Sequence, residues 1–376
     1  MKIRDIRCAG LRGATPEGGW SAELKPEDCV HTLVVVHTDS GLTGLGSVFT
    51  NDGLVRAAIA LLEPLWRGEN ALEPQRVTEK LHQNTFWTGR GGSLTHAISG
   101  IDIALWDLFG QATGQPVGRL LGGRYRERVA PYASLLMEEP AKMRDRLLAV
   151  KAEGFRAFKI GWGPFGRVSR KMDESIIRAA REAVGPDCKL MVDAGGSDAH
   201  WSNGYKWAIN AARMLADFNV DWFEEALRPD ALDDFVLLRE HSPVPIAGGE
   251  VLTRRQSFAP FLAARAFDIV QPDVTKVGGI SEEAQIARMA WEHGVKFIPH
   301  GWNTAVGLAA DLHLASAFPD TDLVEYLTGS PFIDEITQGG WRLDADGMLA
   351  IPSSPGLGLT LDRDAVKKYT RGEELF

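Results

Sequence analysis

The 376 residues carry a net charge of −9, with 44% apolar and 24% charged side chains, the balance of a folded globular chain rather than a disordered or fibrous one. At ~100–200 residues per domain the length suggests about two domains, large enough to bury their cores without disulfide or metal staples. No apolar run approaches the ~18 residues that span a bilayer, no basic stripe offsets the acidic surplus, and the first ten residues hold no signal-peptide core, so neither membrane nor nucleic acid is an expected partner.

In chain order, residues 2–8 alternate weakly and residues 31–38 are a β-branched run, so the chain opens as strand, loop, strand. The intervening residues 11–28 are rich in Gly and Pro, carry Trp20 and read as a mobile loop. Residues 41–46 predict a tight turn into a third strand ending near Thr50. From Gly53 to Gly122 the pattern is helical, with one amphipathic segment at 54–65 and another at 95–109, where Ile98, Ile101, Leu105 and Leu108 share a face.

Beyond Arg128 short apolar runs recur, at 129–136, 157–162, 189–193, 222–224, 244–250, 267–273, 296–300 and 323–325, with helical stretches such as 172–184, 205–218, 254–264 and 281–293 between them. Eight strands alternating with helices over about 200 residues predict a parallel α/β barrel. A doubly wound sheet is the structural competitor, but neither a GxGxxG nor a GxxxxGK[ST] phosphate loop is read beside an early strand. From about residue 346, Pro352, Pro355 and a Gly-Leu-Gly break the rhythm, and the chain is expected to fold back onto its first part. Cys8, Cys29 and Cys188 are widely spaced without a CxxC, which fits a reducing cytoplasm.

Seven of the eight predicted strands end in an ionisable residue: Lys159, Asp193, Glu224, Glu250, Asp273, His300 and Glu325. Their separations of 34, 31, 26, 23, 27 and 25 residues are each about one βα unit. Catalytic groups of a barrel come from the C-terminal ends of different strands, so this spacing brings all seven to one pocket. Taken singly, an acid at a strand end is equally a solvated loop residue. Seven in register require neutralising partners.

Asp193, Glu224 and Glu250 lie on three consecutive strands. Three carboxylates sharing one site repel one another unless a cation sits among them. Hard oxygen ligands select Mg²⁺, with Mn²⁺ as a substitute. Zinc is disfavoured, because there is no HxH, no HExxH and no cysteine cluster. Asp273 and His300 lie on adjacent strands. A carboxylate on one ring nitrogen raises the basicity of the other, which makes a general base or acid near neutral pH. A satisfied histidine in the barrel mouth is the plain alternative. Lys159 and Glu325 complete the rim on opposite sides. Lys159 is suited to steadying a substrate carboxylate. Glu325 is suited to hydrogen-bonding a developing enolate, or to pairing with a neighbouring Lys or Arg. A proton alpha to a carboxylate leaves only if the resulting dianion meets fixed positive charge, with a base on one face. The constellation therefore points to that abstraction.

The motifs beside these residues are specific. They include 99–107 (Ser-Gly-Ile-Asp-Ile-Ala-Leu-Trp-Asp), 118–123 (Gly-Arg-Leu-Leu-Gly-Gly), 271–279 (Gln-Pro-Asp-Val-Thr-Lys-Val-Gly-Gly), 299–304 (Pro-His-Gly-Trp-Asn-Thr) and Pro-Gly-Leu-Gly at 355–358. With them the chain resembles the enolase superfamily, mandelate racemase subgroup, over essentially its whole length. The resemblance implies an α/β fold, a (β/α)₇β TIM-like barrel with an N-terminal α+β capping domain. On this chain that means a cap at 1–128, the barrel at 129–345 and a C-terminal segment at 346–376 returning to the cap. It implies bound Mg²⁺ held by Asp193, Glu224 and Glu250, a His300–Asp273 dyad and Glu325 as enolate partner. It also implies an acid substrate, often an acid sugar, loops near 14–20 and 49–52 that close the site, and a homo-oligomer.

Departures from the family pattern bear on the reaction. The usual Lys-x-Lys is Lys159-Ile-Gly161 here, so a second base on the opposite face is missing. The usual Asp-x-Asn is Asp193-Ala-Gly195, and Glu-Glu-Pro is Glu224-Glu-Ala226. The run 161–166 resembles dehydratases of the rhamnonate type. One base that later acts as an acid suits elimination of water from an aldonate or aldarate to a 2-keto-3-deoxy acid, with His300 in both roles. A racemase or epimerase of a 2-hydroxy acid is the alternative on the same scaffold. A non-catalytic barrel that binds metal and acid is a further one, although a binder needs no dyad. Lys276 is expected to form a structural ion pair, and Glu225 to point away from Glu224 by strand alternation. Trp20, Trp162, His200 and Asn303 are candidates to line the substrate site.

Overall fold

A computed structural model describes residues 1–14, 25, 27–198 and 200–376. Strands β1 (Ile3–Leu11), β2 (His31–Thr38) and β3 (Thr43–Val48) form an antiparallel sheet in that order. β2 is buried along its whole length because both faces are covered. Val34 and Val36 pack into the core of the first domain, whereas Leu33 and Val35 join the large core shared with the barrel. Helices Asp52–Trp66, Pro74–Gln83 and Gly92–Thr113 cover the first face, the last ending on Gly114 in the left-handed conformation. Gly44 and Gly46 stand inside β3 rather than in a turn. A Cβ on either would overlap a backbone carbonyl of the 92–113 helix, at Ala104 and Gly100 respectively, so these glycines let sheet and helix meet backbone to backbone.

The barrel strands are β4 (Arg128–Leu136), β5 (Ala157–Gly161), β6 (Lys189–Asp193), β7 (Phe223–Glu224), β8 (Ile246–Gly248), β9 (Ile269–Val270), β10 (Lys296–Phe297) and β11 (Leu323–Leu327). They pair in parallel in the order β10-β9-β8-β7-β6-β5-β4-β11. The first and eighth barrel strands are thus neighbours, and the one seam without a ladder among the described residues falls between β10 and β11. Seven helices, from Pro140–Ala152 to Ala305–Ala317, occupy the seven crossovers. Tyr132, Ala157, Met191, Trp222, Ala247, Ile269, Ile298 and Leu323 form a separate buried cluster, one residue from each strand or its flank. They fill the barrel interior as a packed layer.

The expected absence of GxGxxG is corrected by the run 161–166, which has that spacing directly after a strand, the signature of the doubly wound competitor. The next helix starts only at Arg170, capped by Ser169 through the Met172 N–H, so no glycine turn opens onto a helix N-terminus. The barrel topology excludes the competitor. Beyond β11, a short strand β12 (Leu349–Ala350) pairs antiparallel with β4. The chain then reaches the first domain: the Leu357 N–H donates to Asp107, the Arg12 N–H to the Tyr369 carbonyl, and His37 Nε2 meets the Leu375 carbonyl.

The cap helix is joined to the barrel behind the site. Buried Asp102 accepts from the Ser281 N–H (2.9 Å), the Ser281 hydroxyl (2.6 Å) and the Thr78 hydroxyl (2.7 Å). The Trp106 indole donates to the same Ser281 hydroxyl, and the Gly278 N–H to Ser99. Motif 99–107 on one side, and Gly278 of motif 271–279 with Ser281 just past it on the other, are therefore two halves of one joint. No helix among the described residues is long and apolar enough to cross a membrane.

Candidate active site

All seven strand-end residues converge at the C-terminal mouth of the barrel, and all are at least nine-tenths buried. Asp193 and Glu224 are the last residues of β6 and β7, whereas Glu250, Asp273 and His300 lie just past β8, β9 and β10. Asp273 and His300 still form one isolated parallel bridge. The mouth encloses a cavity of about 210 Å³, sized for a small molecule. Its polar lining includes Lys159, Asp193, Glu250, His300 and Glu325, and its apolar lining Phe49, Leu135, Trp162 and Trp302.

Asp193, Glu224 and Glu250 each present an oxygen such that the three lie within 4.8 Å of one another. Burial, and then the charge of Glu224, pushes Asp193 well above the usual carboxylate range. That is the electrostatic condition a divalent cation relieves, and an all-oxygen donor set fits Mg²⁺. Glu224 is fixed from three sides: by Lys159 Nζ at 2.6 Å, and by the Trp222 indole and the Gln271 amide at 2.9 Å each. Burial alone would lift Glu250, but His300 and Lys276 outweigh it and hold this carboxyl well below the ordinary range.

The dyad is formed. His300 Nδ1 stands 2.7 Å from Asp273 Oδ2, and Asp273 Oδ1 accepts from the Thr275 N–H at 2.7 Å and from its hydroxyl. His300 Nε2 faces Glu250 Oε2 at 3.0 Å and Glu325 Oε2 at 3.8 Å. Burial would lower the His300 pKa, but Glu250 and Glu325 reverse this and raise it well above the ordinary value.

Lys159 and Glu325 are not on opposite sides of the rim. β5 and β11 both flank β4, which brings Lys159 Nζ to 3.0 Å from Glu325 Oε1. Burial opposes the charge of each, yet mutual attraction prevails: Lys159 is raised well above its ordinary pKa and Glu325 is lowered. Glu325 is thus an ionised, bridged carboxylate, and it also accepts from the Gly301 N–H at 2.8 Å and the Tyr132 hydroxyl at 3.2 Å. Lys276 forms the ion pair expected of it, 3.5 Å from Asp273 and 3.9 Å from Glu250, with its ammonium 4.5 Å from the Phe49 ring centroid. It also lines the cavity. Strand alternation does not govern Glu225, because β7 ends at Glu224 and Glu225 has φ +41°. Its carboxyl accepts from Ser197, and burial with Glu250 and Asp193 nearby raises its pKa well above the ordinary value.

Of the four candidates for substrate contact, Trp162 lines the cavity. His200 does not: it is exposed in a turn outside the pocket. Asn303 does not either. It precedes the 305–317 helix and turns inward, donating to Asp311 at 3.0 Å, fully buried. Trp20 lies outside the described residues. Phe49 lies in the 49–52 loop expected to close the site, whereas Trp302 and Ser134 were missed as cavity residues. Trp302 sits inside the quoted 299–304 motif, which was the available signal. Ser134 in the middle of an apolar strand gave none.

Comparison with known proteins agrees with this fold. The family model for the mandelate racemase / muconate lactonizing enzyme N-terminal domain matches residues 27–122, and that for the enolase C-terminal domain-like region matches 127–365. The D-galactarolactone cycloisomerase of Agrobacterium fabrum is 34% identical, over 98% of this chain and 99% of the relative. The D-xylonate dehydratase of Haloferax volcanii is 32% identical, over 100% and 96%. The crystal structure of the 3,6-anhydro-D-galactonate cycloisomerase from Zobellia galactanivorans superposes with a TM-score of 0.87 at 30% identity, covering 98% of this chain and 99% of that one.

Proposed function

The chain belongs to the mandelate racemase / muconate lactonizing enzyme family of the enolase superfamily, and we propose that within it the protein is a Mg²⁺-dependent dehydratase of an acid sugar. The observation that carries this reading is one His–Asp dyad beside a carboxylate triad, with Gly161 where a second base would stand. Asp193, Glu224 and Glu250 would hold the cation, which when bound supplies the fixed positive charge that an enediolate needs. Asp273 orients the His300 ring through Nδ1; Nε2 pairs with Glu250 without the cation, and would be free to take the proton alpha to the carboxylate once Glu250 gives its charge to the cation. The same nitrogen returns that proton to the departing 3-hydroxyl, which leaves as water. The enol that remains tautomerises to a 2-keto-3-deoxy acid. Lys159 fixes Glu224 and Glu325 in place and presents positive charge to the cavity. Phe49, Leu135, Trp162 and Trp302 in the lining would reduce the water around the reacting carbon.

A racemase needs bases on both faces of that carbon. Lys276 does not supply the second, because it shares Asp273 and Glu250 with His300 and so lies on the same side. A second reading is ring-opening elimination, in which a ring oxygen leaves instead of a hydroxyl. The cycloisomerase names of two of the three relatives favour it. The first step and the residues are the same.

A panel of aldonates, aldarates and their lactones, incubated with Mg²⁺ and read by keto-acid formation, tests the reading. Keto acid from an open-chain acid is the expected result, and keto acid from lactones or anhydro acids only would assign the ring-opening reaction. Epimerised substrate without keto acid would replace both by a racemase. Failure to eliminate, or to exchange the alpha proton with solvent, across the whole panel would leave a binding barrel.

A further inference from the structure

Trp162 has φ +62°, a conformation that a residue with a side chain adopts only when its surroundings impose it. The surroundings are Asp193 and its loop. The Trp162 backbone N–H donates to the Asp193 carbonyl at 3.0 Å, and its indole N–H to Asp193 Oδ2 at 3.1 Å. The other carboxylate oxygen, Oδ1, accepts from the Gly195 N–H at 2.8 Å. Both oxygens are therefore held, and the carboxylate plane is fixed. A carboxylate oxygen has more than one lone pair, so each still has one to offer a cation.

The two neighbouring glycines belong to the same device. A Cβ on Gly195 would lie 2.5 Å from the indole, and one on Gly161 would lie 2.8 Å from the Asp193 Cβ. A side chain at 195 would expel the ring from beneath Asp193, and one at 161 would push Asp193 itself. The two departures noted in the sequence thus make room for one contact, Gly195 for the indole and Gly161 for Asp193.

We propose that Trp162 is a positioning residue for Asp193, its indole N–H setting the orientation in which that carboxylate meets the divalent cation. The inference rests on the reading that Asp193, Glu224 and Glu250 hold that cation. Hydrogen bonds to ligating groups are worth about 10–100-fold in metal affinity.

Calorimetric titration of Mg²⁺ into the metal-free full-length protein tests it. Trp162→Phe keeps a ring and the same backbone demand but removes the N–H. It should weaken Mg²⁺ about 10–100-fold while the metal-free melting temperature stays close to that of the parent. Gly195→Ala should also weaken Mg²⁺, because its methyl group would displace the indole. If the parent binds Mg²⁺ and Trp162→Phe binds it equally well, the inference is overturned and the triad reading stands. A parent that binds no Mg²⁺ would overturn the triad reading, and this inference with it.

Discussion

Asp102 offers a direct test of how the cap is held over the barrel. It is fully buried, and burial dominates its electrostatics, raising its carboxyl from an ordinary 3.8 to about 6 despite the hydrogen bonds from Ser281 and Thr78. At ~1.4 kcal/mol per pH unit, that displacement is about 3 kcal/mol. The folded pKa is the higher one. The stabilising contribution is therefore complete below the unfolded value and is lost as pH rises through about 6. Asp102→Asn is nearly isosteric. It keeps an oxygen for the Ser281 N–H, offers its amide to the two hydroxyls and cannot ionise. The stability difference between parent and variant should therefore move in favour of the variant as pH rises. The full change is about 3 kcal/mol, and roughly half of it falls between pH 5 and 8. Guanidinium unfolding of both proteins at several pH values measures this, and differencing cancels the titration of distant groups. A difference that stays flat to within ~0.3 kcal/mol over that range would refute the argument that burial controls this carboxyl.

His313 should show the opposite sign. It is buried and held neutral, lowered to about 4 by burial, with the Gly118 N–H on Nδ1 and the Leu357 carbonyl at Nε2. Its contribution is present above pH 6.5 and is lost as pH falls towards about 4. Acidification from pH 7 to 5 should therefore cost His313→Gln about 2 kcal/mol less than the parent, and equal losses would contradict the neutral assignment. Lys159→Met leaves Glu224 and Glu325 buried without their shared cation. Denaturant titration without Mg²⁺ should show a loss of ~3–5 kcal/mol, and a loss below ~1 would mean that the two carboxylates are not charged as described. Gly46→Ala puts a methyl group against the Gly100 carbonyl. A loss of ~1–3 kcal/mol is expected, and an unchanged melting temperature would show that sheet and helix do not meet as closely as described.

The barrel was legible because its eight strands recur at one βα unit and seven of them carry an ionisable residue at or near the C-terminal end. Periodicity alone extended several strands too far. Residues such as Glu250, Asp273 and His300 continue the apolar runs, but they turn inward past the last ladder bond to reach the pocket. Linear spacing places groups around a ring without saying which strands close it. For that reason Lys159 and Glu325, at the two ends of the spacing series, were set apart, although β4 brings them together. His200 and Asn303 show a second limit. Both neighbour site motifs in sequence, but loop direction is decided by local partners, solvent for one and Asp311 for the other. The acidic surplus also reads differently in three dimensions. Besides the strand-end acids, Asp102, Asp107, Glu283 and Asp311 are wholly or almost wholly buried, and burial raises the pKa of each. The formal charge of −9 therefore overstates the negative charge at the surface.

The central claim is that His300 is the single base beside a metal-holding triad. His300→Asn removes the base while leaving Asp193, Glu224 and Glu250 in place. Keto-acid formation by that variant should fall by ~10²–10⁴-fold or more, with calorimetric Mg²⁺ affinity retained. Turnover near that of the parent would contradict the account.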